Sequence, residues 1–330
     1  MAHRHLPLLL MAFPFALGLS LIEAWWLARR GGYDWKALGI SVLDMVLRLS
    51  VQIFLPLSIA AGLFSYAAEH RLTTIELNSW VAFLGLFIGQ EFFYYWYHRA
   101  AHRVRWFWCN HSVHHSPNTL NLGAAYRIGI VGKLTGTPLF FAPLAWLGFP
   151  QHVVFEVLSL NLLYQFWLHT SWIPKLGPLE YLLNTPSAHR VHHASNLEYL
   201  DANYGGVLIV FDRLFGTYRA ERDDLPCRYG LIDPVTSYNP LRIEFAPWLK
   251  LARDLASARS PRALLGYLFM PPGWKAEGPG DTVEELRARA AAGAASAQHV
   301  VQGPEHRGIG HGPDRHDKQH GFGARQNTVG

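Results

Sequence analysis

The sequence predicts an all-α, integral-membrane helical bundle, with three spans and a re-entrant helical hairpin attached to a histidine-rich cytoplasmic cap. Three observations support this fold class. Half of the 330 residues are hydrophobic and only 16% are charged, whereas about 25% is usual for soluble domains. The apolar residues are concentrated in long blocks, and clustered histidines occupy the polar segments between the blocks.

Three apolar blocks precede the first histidine cluster, at about residues 6–28, 37–68 and 80–97. A helix of about 20 residues crosses a hydrocarbon core of about 30 Å. Each block is therefore predicted to be a transmembrane span. Asp44 and Arg48 lie four residues apart in the second block, and we expect them to form an ion pair on one helix face.

A paired apolar block follows the polar segment 98–133. Its two arms, residues 134–149 and 152–167, are short for complete spans and are separated by Gly148-Phe149-Pro150. This pattern predicts a helical hairpin that enters the membrane and returns to the same side.

Basic residues predict the orientation. Loop 29–36 contains three lysine or arginine residues, loop 69–78 contains one, and segment 98–133 contains five. Because such residues favour the cytoplasmic side, the histidine-bearing segment is predicted to face the cytoplasm, in a bacterial inner membrane or a membrane of the endoplasmic-reticulum type. The net charge of +5 lies mostly beside apolar blocks, which favours anionic lipid headgroups over nucleic acid as partners.

The composition divides the rest of the chain into two segments, residues 171–271 and the segment from residue 273. Residues 171–271 are mixed and are predicted to complete the cytoplasmic cap. Within them, residues 241–256 alternate apolar and basic side chains at helical spacing, which predicts an amphipathic helix on the membrane surface. From residue 273 the chain is rich in glycine, alanine, arginine and histidine. We expect a disordered tail there, with one short helix at 281–292.

Three histidine clusters predict a metal centre. They are HxxxH (His98, His102) and two copies of HxxHH (His111, His114, His115 and His189, His192, His193). Residues three or four apart share a helix face, so each cluster is expected to direct its imidazoles at a common point. Imidazole binds iron, copper and zinc. Eight such ligands exceed the needs of one ion, so two metals are predicted close together.

His169, at the returning end of the hairpin, is a candidate ninth ligand, because the hairpin brings it back to the side of the clusters. A structural histidine is the alternative at this position. Glu91 and Asp201 are candidates to orient imidazoles, since carboxylates accept the second N–H of metal-bound histidines. Either could instead be an anchoring charge at the membrane interface. Gln165, one turn before His169, could add a polar group beside the same metal.

Three further residues are candidates for substrate binding. Asn121, Tyr126 and Asn184 could hold a headgroup or shape a pocket. Loop structure explains them equally well.

The order HxxxH, HxxHH, apolar hairpin, HxxHH resembles the fatty acid hydroxylase and sterol desaturase superfamily of membrane di-iron enzymes. The resemblance covers about residues 90–220 and includes YWYHR (95–99), WIPKLGPLE (172–180), NTPS (184–187) and NYGGVLIVFDRLFGTY (203–218). The sequences of these segments are most similar to the alkylglycerol monooxygenase-like branch. Two positions depart: some members have histidine in place of Gln165, and relatives in the ether-lipid branch have an acidic residue in place of Arg103.

The resemblance implies a fatty acid hydroxylase-like catalytic domain at 79–272, between an N-terminal transmembrane region at 1–78 and the tail at 273–330. It implies two iron ions per chain, with no catalytic residue separate from the ligands. The expected reaction uses O₂ to hydroxylate or desaturate a C–H bond of a fatty acyl, alkyl-ether or sterol-like lipid. A reductase, a ferredoxin or cytochrome b5-like protein, or a pterin would donate electrons.

Two other classes remain open at this point. One is a zinc-dependent membrane hydrolase, which needs a general base beside an open metal site. The other is a membrane protein that binds or transports metal without catalysis. Iron content together with O₂ consumption separates the oxygenase from both.

Overall fold

The structure is a computed structural model that describes residues 8–54 and 60–301. The helices of this part are α1 (Leu8–Ala28), α2 (Trp35–Phe54), α3 (Ala61–Glu69), α4 (Trp80–Arg103), α5 (Arg105–His114), α6 (Ala142–Leu147), α7 (Gln151–Phe166), α8 (Pro186–His192), α9 (Val210–Leu214), α10 (Pro240–Ser257), α11 (Pro261–Phe269) and α12 (Val283–Val301). The described residues contain isolated β-bridges but no strand, so the all-α prediction is confirmed. The chain divides after Arg287 into two compact units, and every contact discussed below lies in the first.

Helix α1 corresponds to the first predicted span. Among the described residues it is the one helix that is both long and apolar enough to cross a membrane. Glu23, near its C-terminal end, is buried and accepts hydrogen bonds from the backbone N–H of Leu122 and from the side chains of Thr170 and Trp172, at 2.6, 2.9 and 3.0 Å. This carboxylate therefore fastens α1 to two segments near the histidine clusters.

The second apolar block, predicted as one span, contains two described helices, α2 and α3, and α3 packs against α6. The predicted ion pair inside this block is not formed. Asp44 instead accepts hydrogen bonds from the backbone N–H groups of Ile128 and Gly129, at 2.9 and 3.3 Å. The reason is that buried N–H groups of a turn need an acceptor, and spacing within one helix does not reveal such a distant partner.

Helix α4 contains the third apolar block and continues through the HxxxH motif. Ser79 caps its N-terminus by accepting a hydrogen bond from the N–H of Ala82, at 3.2 Å. The helix packs against α6 and α7 in a core that includes Leu86, Leu144 and Val154. With 24 residues, α4 is roughly 36 Å long, so it links this core to the histidines of the HxxxH motif at its C-terminal end.

The hairpin has one regular arm. Helix α7 forms the second arm as predicted, but the first is built from short 3₁₀ turns at residues 132–135 and 137–141 followed by α6. Pro138, Pro143 and the left-handed Gly136 explain the interruption, because proline and glycine disfavour a continuous helix. Gly148 has φ of 124° between the arms, where the turn was predicted.

The disordered tail predicted from residue 273 is wrong for the residues that are described. Helix α12 begins at Val283 and extends beyond the short helix predicted at 281–292. Arg287 donates hydrogen bonds to the carbonyls of Leu197 and Leu200, at 3.1 and 2.8 Å, and Arg103 pairs with Glu284 at 2.5 Å. Polar contacts of this kind order a segment with little apolar surface. Residues 302–330 lie outside the described residues.

Candidate metal centre

The structure brings all nine candidate histidines together in two groups. Five form one group, named here the five-histidine group: His98, His102, His111, His115 and His192. Four form the other, the four-histidine group: His114, His169, His189 and His193. Within each group the nitrogen atoms that could bind a metal lie within 4.8 Å of one another. Eight of these side chains are buried and His114 is half-buried.

Each HxxHH motif is shared between the two groups, which differs from the prediction of one common point per motif. In the first motif the i and i+4 residues, His111 and His115, join the five-histidine group, and the i+3 residue joins the other. The second motif is reversed, since His192 at i+3 belongs to the five-histidine group. Consecutive helical residues diverge by about 100°, so neighbouring imidazoles can serve two different ions.

Backbone carbonyl groups hold four of the imidazoles in place. Each Nδ1 lies 2.7–3.0 Å from one carbonyl oxygen: His98 with Tyr204, His114 with Arg127, His169 with Gln165, and His192 with Ala202. A carbonyl oxygen only accepts hydrogen bonds, so Nδ1 carries the hydrogen and Nε2 presents its lone pair. This is the usual arrangement of a metal-bound histidine.

The distances between Nε2 atoms suit metal ions. They are 3.1 Å for His98 and His111, 3.3 Å for His114 and His169, and 3.1 Å for His169 and His189. Two nitrogens bound to one ion at about 2.1 Å, at angles of roughly 90–110°, are about 3.0–3.4 Å apart. The Nε2 atoms of His102, His115, His192 and His193 are also buried without a hydrogen-bond partner in the described part of the chain. The residues present therefore fit two metal ions.

Burial also sets the protonation of these candidate ligands. Loss of water around the rings lowers the pKa of His111, His115, His192 and His193 well below the ordinary histidine value, and neighbouring imidazoles lower it further. The same loss of water lowers the pKa of His114 to about 4. The neutral imidazole predominates at neutral pH as a result, and this is the form that binds a metal.

Glu91 contacts a loop rather than an imidazole, which corrects its predicted role. Its carboxylate accepts hydrogen bonds from the side chain of Asn161, at 2.5 Å, and from the backbone N–H groups of Val207 and Leu208, at 2.8 Å each. These buried N–H groups need an acceptor, and the carboxylate supplies one. Because the same loop carries the Tyr204 carbonyl, Glu91 supports the metal centre indirectly.

Replacing Glu91 by alanine is expected to lower the free energy of unfolding by about 2–4 kcal/mol, because it leaves several buried donors without an acceptor. Denaturant unfolding of the detergent-solubilised protein measures the change. Glu156→Ala is the matched control, since Glu156 is an exposed carboxylate on α7. Equal stabilities of the two variants would show that Glu91 does not hold the loop.

The other two candidates for orienting imidazoles differ in position. Asp201 lies beside His102, with Oδ1 3.8 Å from Nδ1, and its second oxygen accepts a hydrogen bond from Arg103 at 2.6 Å. The side-chain amide of Gln165 does not face an imidazole. It accepts from the Tyr94 hydroxyl at 3.0 Å and donates to Asn161 at 2.6 Å. Only the backbone carbonyl of Gln165 acts on a ligand histidine.

Asn121 and Tyr126, two of the substrate-binding candidates, make contacts that join elements of the fold. Asn121 accepts a hydrogen bond from the Tyr33 hydroxyl at 3.2 Å. The Tyr126 hydroxyl lies 2.8 Å from the Ser20 hydroxyl of α1, in a cluster with residues of α1 and α2. Neither contact involves an imidazole.

The loop that carries Tyr204 is held by residues that the sequence analysis did not connect to it. Asp212 accepts hydrogen bonds from the backbone N–H groups of Tyr204 and Gly205, at 2.7 Å each, and Asn184 donates to the Gly205 carbonyl at 2.7 Å. The sequence did offer a sign that Asn161 has a buried polar contact, because it is a polar residue inside an apolar helix, four positions before the amide of Gln165. Asp212 had no comparable signal.

The chain is similar in sequence to a known protein family. Residues 83–217 match the fatty acid hydroxylase family, and this segment contains all nine candidate histidines. This segment of the chain is therefore similar to the fatty acid hydroxylase family. The resemblance inferred from the histidine motifs is thereby confirmed.

Several similar proteins have the names of lipid oxygenases. Alkylglycerol monooxygenase of Homo sapiens is 36% identical over 274 residues, which are 82% of this chain and 60% of that protein. The enzyme of the same name from Danio rerio is 34% identical over 286 residues, covering 80% and 59%. Ornithine lipid hydroxylase of Rhizobium tropici is 33% identical over 135 residues, covering 41% and 40%. The chain thus spans about three fifths of the first two relatives, and no solved structure is significantly similar.

Proposed function

We propose that this chain is a membrane-bound di-iron oxygenase that uses O₂ and an external electron donor to hydroxylate a C–H bond of a lipid. One observation carries the proposal: two compact groups of imidazoles lie side by side. The rings of His115 and His193, one from each group, are stacked with centroids 4.3 Å apart. Such an arrangement suits two ions that act together.

The imidazole donors fit iron, and the relatives named as monooxygenases favour a redox metal over zinc. Imidazole nitrogens bind iron well, and when bound the two irons would supply the electrons that activate O₂. The protein's own contribution is to orient the rings through backbone carbonyls and to bury them away from water. A zinc hydrolase would need a general base beside an open metal site. Glu91 is engaged with a loop, and Asp201 accepts a hydrogen bond from Arg103.

The relatives and the surface of the helices support a lipid as the substrate. The relatives named above act, by their names, on alkylglycerols and ornithine lipids. The first half of α4 exposes large apolar side chains, including Trp80 at 72% and Val81 at 74%, which is typical of a surface in contact with lipid. We infer that α1, α2, α4 and the hairpin lie in the bilayer, with the cap on the cytoplasmic side.

Metal analysis and isotope labelling test this function. Protein expressed with added iron and purified in detergent is expected to contain two iron ions per chain. Incubation with 1-O-hexadecylglycerol, ¹⁸O₂ and a reduced pterin or ferredoxin is expected to place one ¹⁸O atom in the lipid product. Zinc as the bound metal, with no O₂ consumed, would favour the hydrolase or a binding protein.

A further inference from the structure

A large cavity in the cap reaches the metal centre from the side of α10 and α11. This cap cavity has a volume of about 1460 Å³ and lies between α5, α10, α11 and residues 230–237 and 271–277. Its inner wall includes His102, His115 and His192 of the five-histidine group, together with Trp108. The Trp108 ring lies 5.2 Å from the His102 ring and 5.7 Å from the His115 ring, between centroids.

The wall of the cap cavity carries an excess of unpaired positive charge. Two of its basic side chains form ion pairs, Arg105 with Asp254 and Lys275 with Asp281. Four others are exposed and form no ion pair in the described part of the chain: Arg242, Lys250, Arg259 and Arg262. Only two lining carboxylates, Asp233 and Glu277, are likewise outside the ion pairs found there. An anion would therefore be attracted to this wall.

An apolar stripe runs beside these cations on α10. Leu241, Phe245 and Leu249 are exposed at intervals of four residues. The residue after each of them, Arg242, Ala246 or Lys250, lines the cap cavity. Since consecutive helical residues diverge by about 100°, the stripe and the cavity wall are neighbouring faces of one helix.

Helix α11 repeats the pattern, because Arg262 lines the cap cavity while Leu264, Leu265 and Phe269 are exposed. Apolar side chains next to basic ones are typical of a surface at the level of lipid headgroups. This pattern favours a position of the cavity mouth at the level of lipid headgroups.

We propose that the cap cavity binds the anionic headgroup of a lipid, with the lipid chain directed past Trp108 toward the five-histidine group. The basic side chains of α10 and α11 supply the charge for a phosphate, and the apolar stripe favours a molecule delivered from the membrane over a soluble anion. That this lipid is also the substrate rests on the proposed oxygenase function. The preference for an anionic headgroup rests on the cavity alone.

A binding experiment with the full chain in detergent at low salt tests the proposal. The probes are 1-O-hexadecylglycerol-3-phosphate, the neutral 1-O-hexadecylglycerol and inorganic phosphate. We expect the phosphate-bearing lipid to bind more tightly than the neutral one. The double variant Lys250→Gln/Arg262→Gln is expected to weaken its binding by roughly three- to tenfold.

The matched control is Arg219→Gln/Arg253→Gln, which removes two exposed cations that do not line the cap cavity. Binding should be unchanged in this control. Equal affinities for the two lipids, or equal losses in both double variants, would overturn the proposal. Displacement of the lipid by inorganic phosphate at similar concentrations would assign the cavity to a soluble anion instead, which also overturns it.

The two proposals fail in different ways. If the oxygenase function is wrong, the wild-type protein lacks iron or incorporates no ¹⁸O, while the phosphate-bearing lipid still binds in preference. If the headgroup site is wrong, the wild-type protein retains iron and ¹⁸O incorporation, and the preference for phosphate is lost.

Discussion

Replacement of His169 by alanine is expected to reduce the metal content from two ions per chain to about one and to abolish oxygen insertion. The Nε2 atom of His169 lies 3.1 Å from that of His189 and 3.3 Å from that of His114. It is one of only four donors in its group, whereas the other group has five. Loss of this donor therefore empties the four-histidine group selectively.

Iron content and thermal stability measured on the same sample separate a ligand from a packing residue. Loss of a packing contact would lower stability, typically by roughly 0.5–3 kcal/mol, without loss of metal. His152→Ala is the control, because His152 is an exposed histidine on α7, the helix that precedes His169. A His169→Ala protein with full iron, full turnover and only a lower melting temperature would make this residue structural.

The adjacent residues His192 and His193 are expected to have separable roles, although both variants should lose turnover. His192 belongs to the five-histidine group and His193 to the four-histidine group. His192→Ala should therefore lose the same ion as His98→Ala, and His193→Ala should lose the same ion as His169→Ala.

Mössbauer spectra of protein loaded with ⁵⁷Fe measure this difference. Ions with different numbers of nitrogen donors are expected to give two distinct signals, and each variant should remove one of them. If His192→Ala and His193→Ala remove the same signal, the division of the HxxHH motifs between two ions is wrong.

The histidine motifs were visible in the sequence because helical spacing is a local property. It correctly placed His98 and His102 on one face of α4. Spacing cannot show how α4, α5 and α8 cross, and the crossing decides which of the two groups each imidazole joins. The division of the HxxHH motifs, with His114 and His115 in different groups, therefore emerged only from the tertiary structure.

Distant polar contacts explain the other differences. The spacing of Glu91 and His98 placed both side chains on one face of α4 and therefore suggested an imidazole as the partner of the carboxylate. Its partner is instead a loop more than a hundred residues later in the chain. The low apolar content after position 272 likewise predicted disorder. Composition cannot show that one side chain, Arg287, donates hydrogen bonds to two carbonyl groups. Single polar contacts between remote segments leave no periodic pattern.

The peptide carbonyls that orient four of the imidazoles have an evolutionary consequence. Every amino acid, proline included, carries a carbonyl group, so a point mutation at residues 127, 165, 202 or 204 cannot delete the acceptor. The orientation of the ligands is thereby insulated from mutational drift at these four positions. Substitutions at these positions could change the side chains, and the loops around them, while the imidazoles keep the same tautomer and orientation.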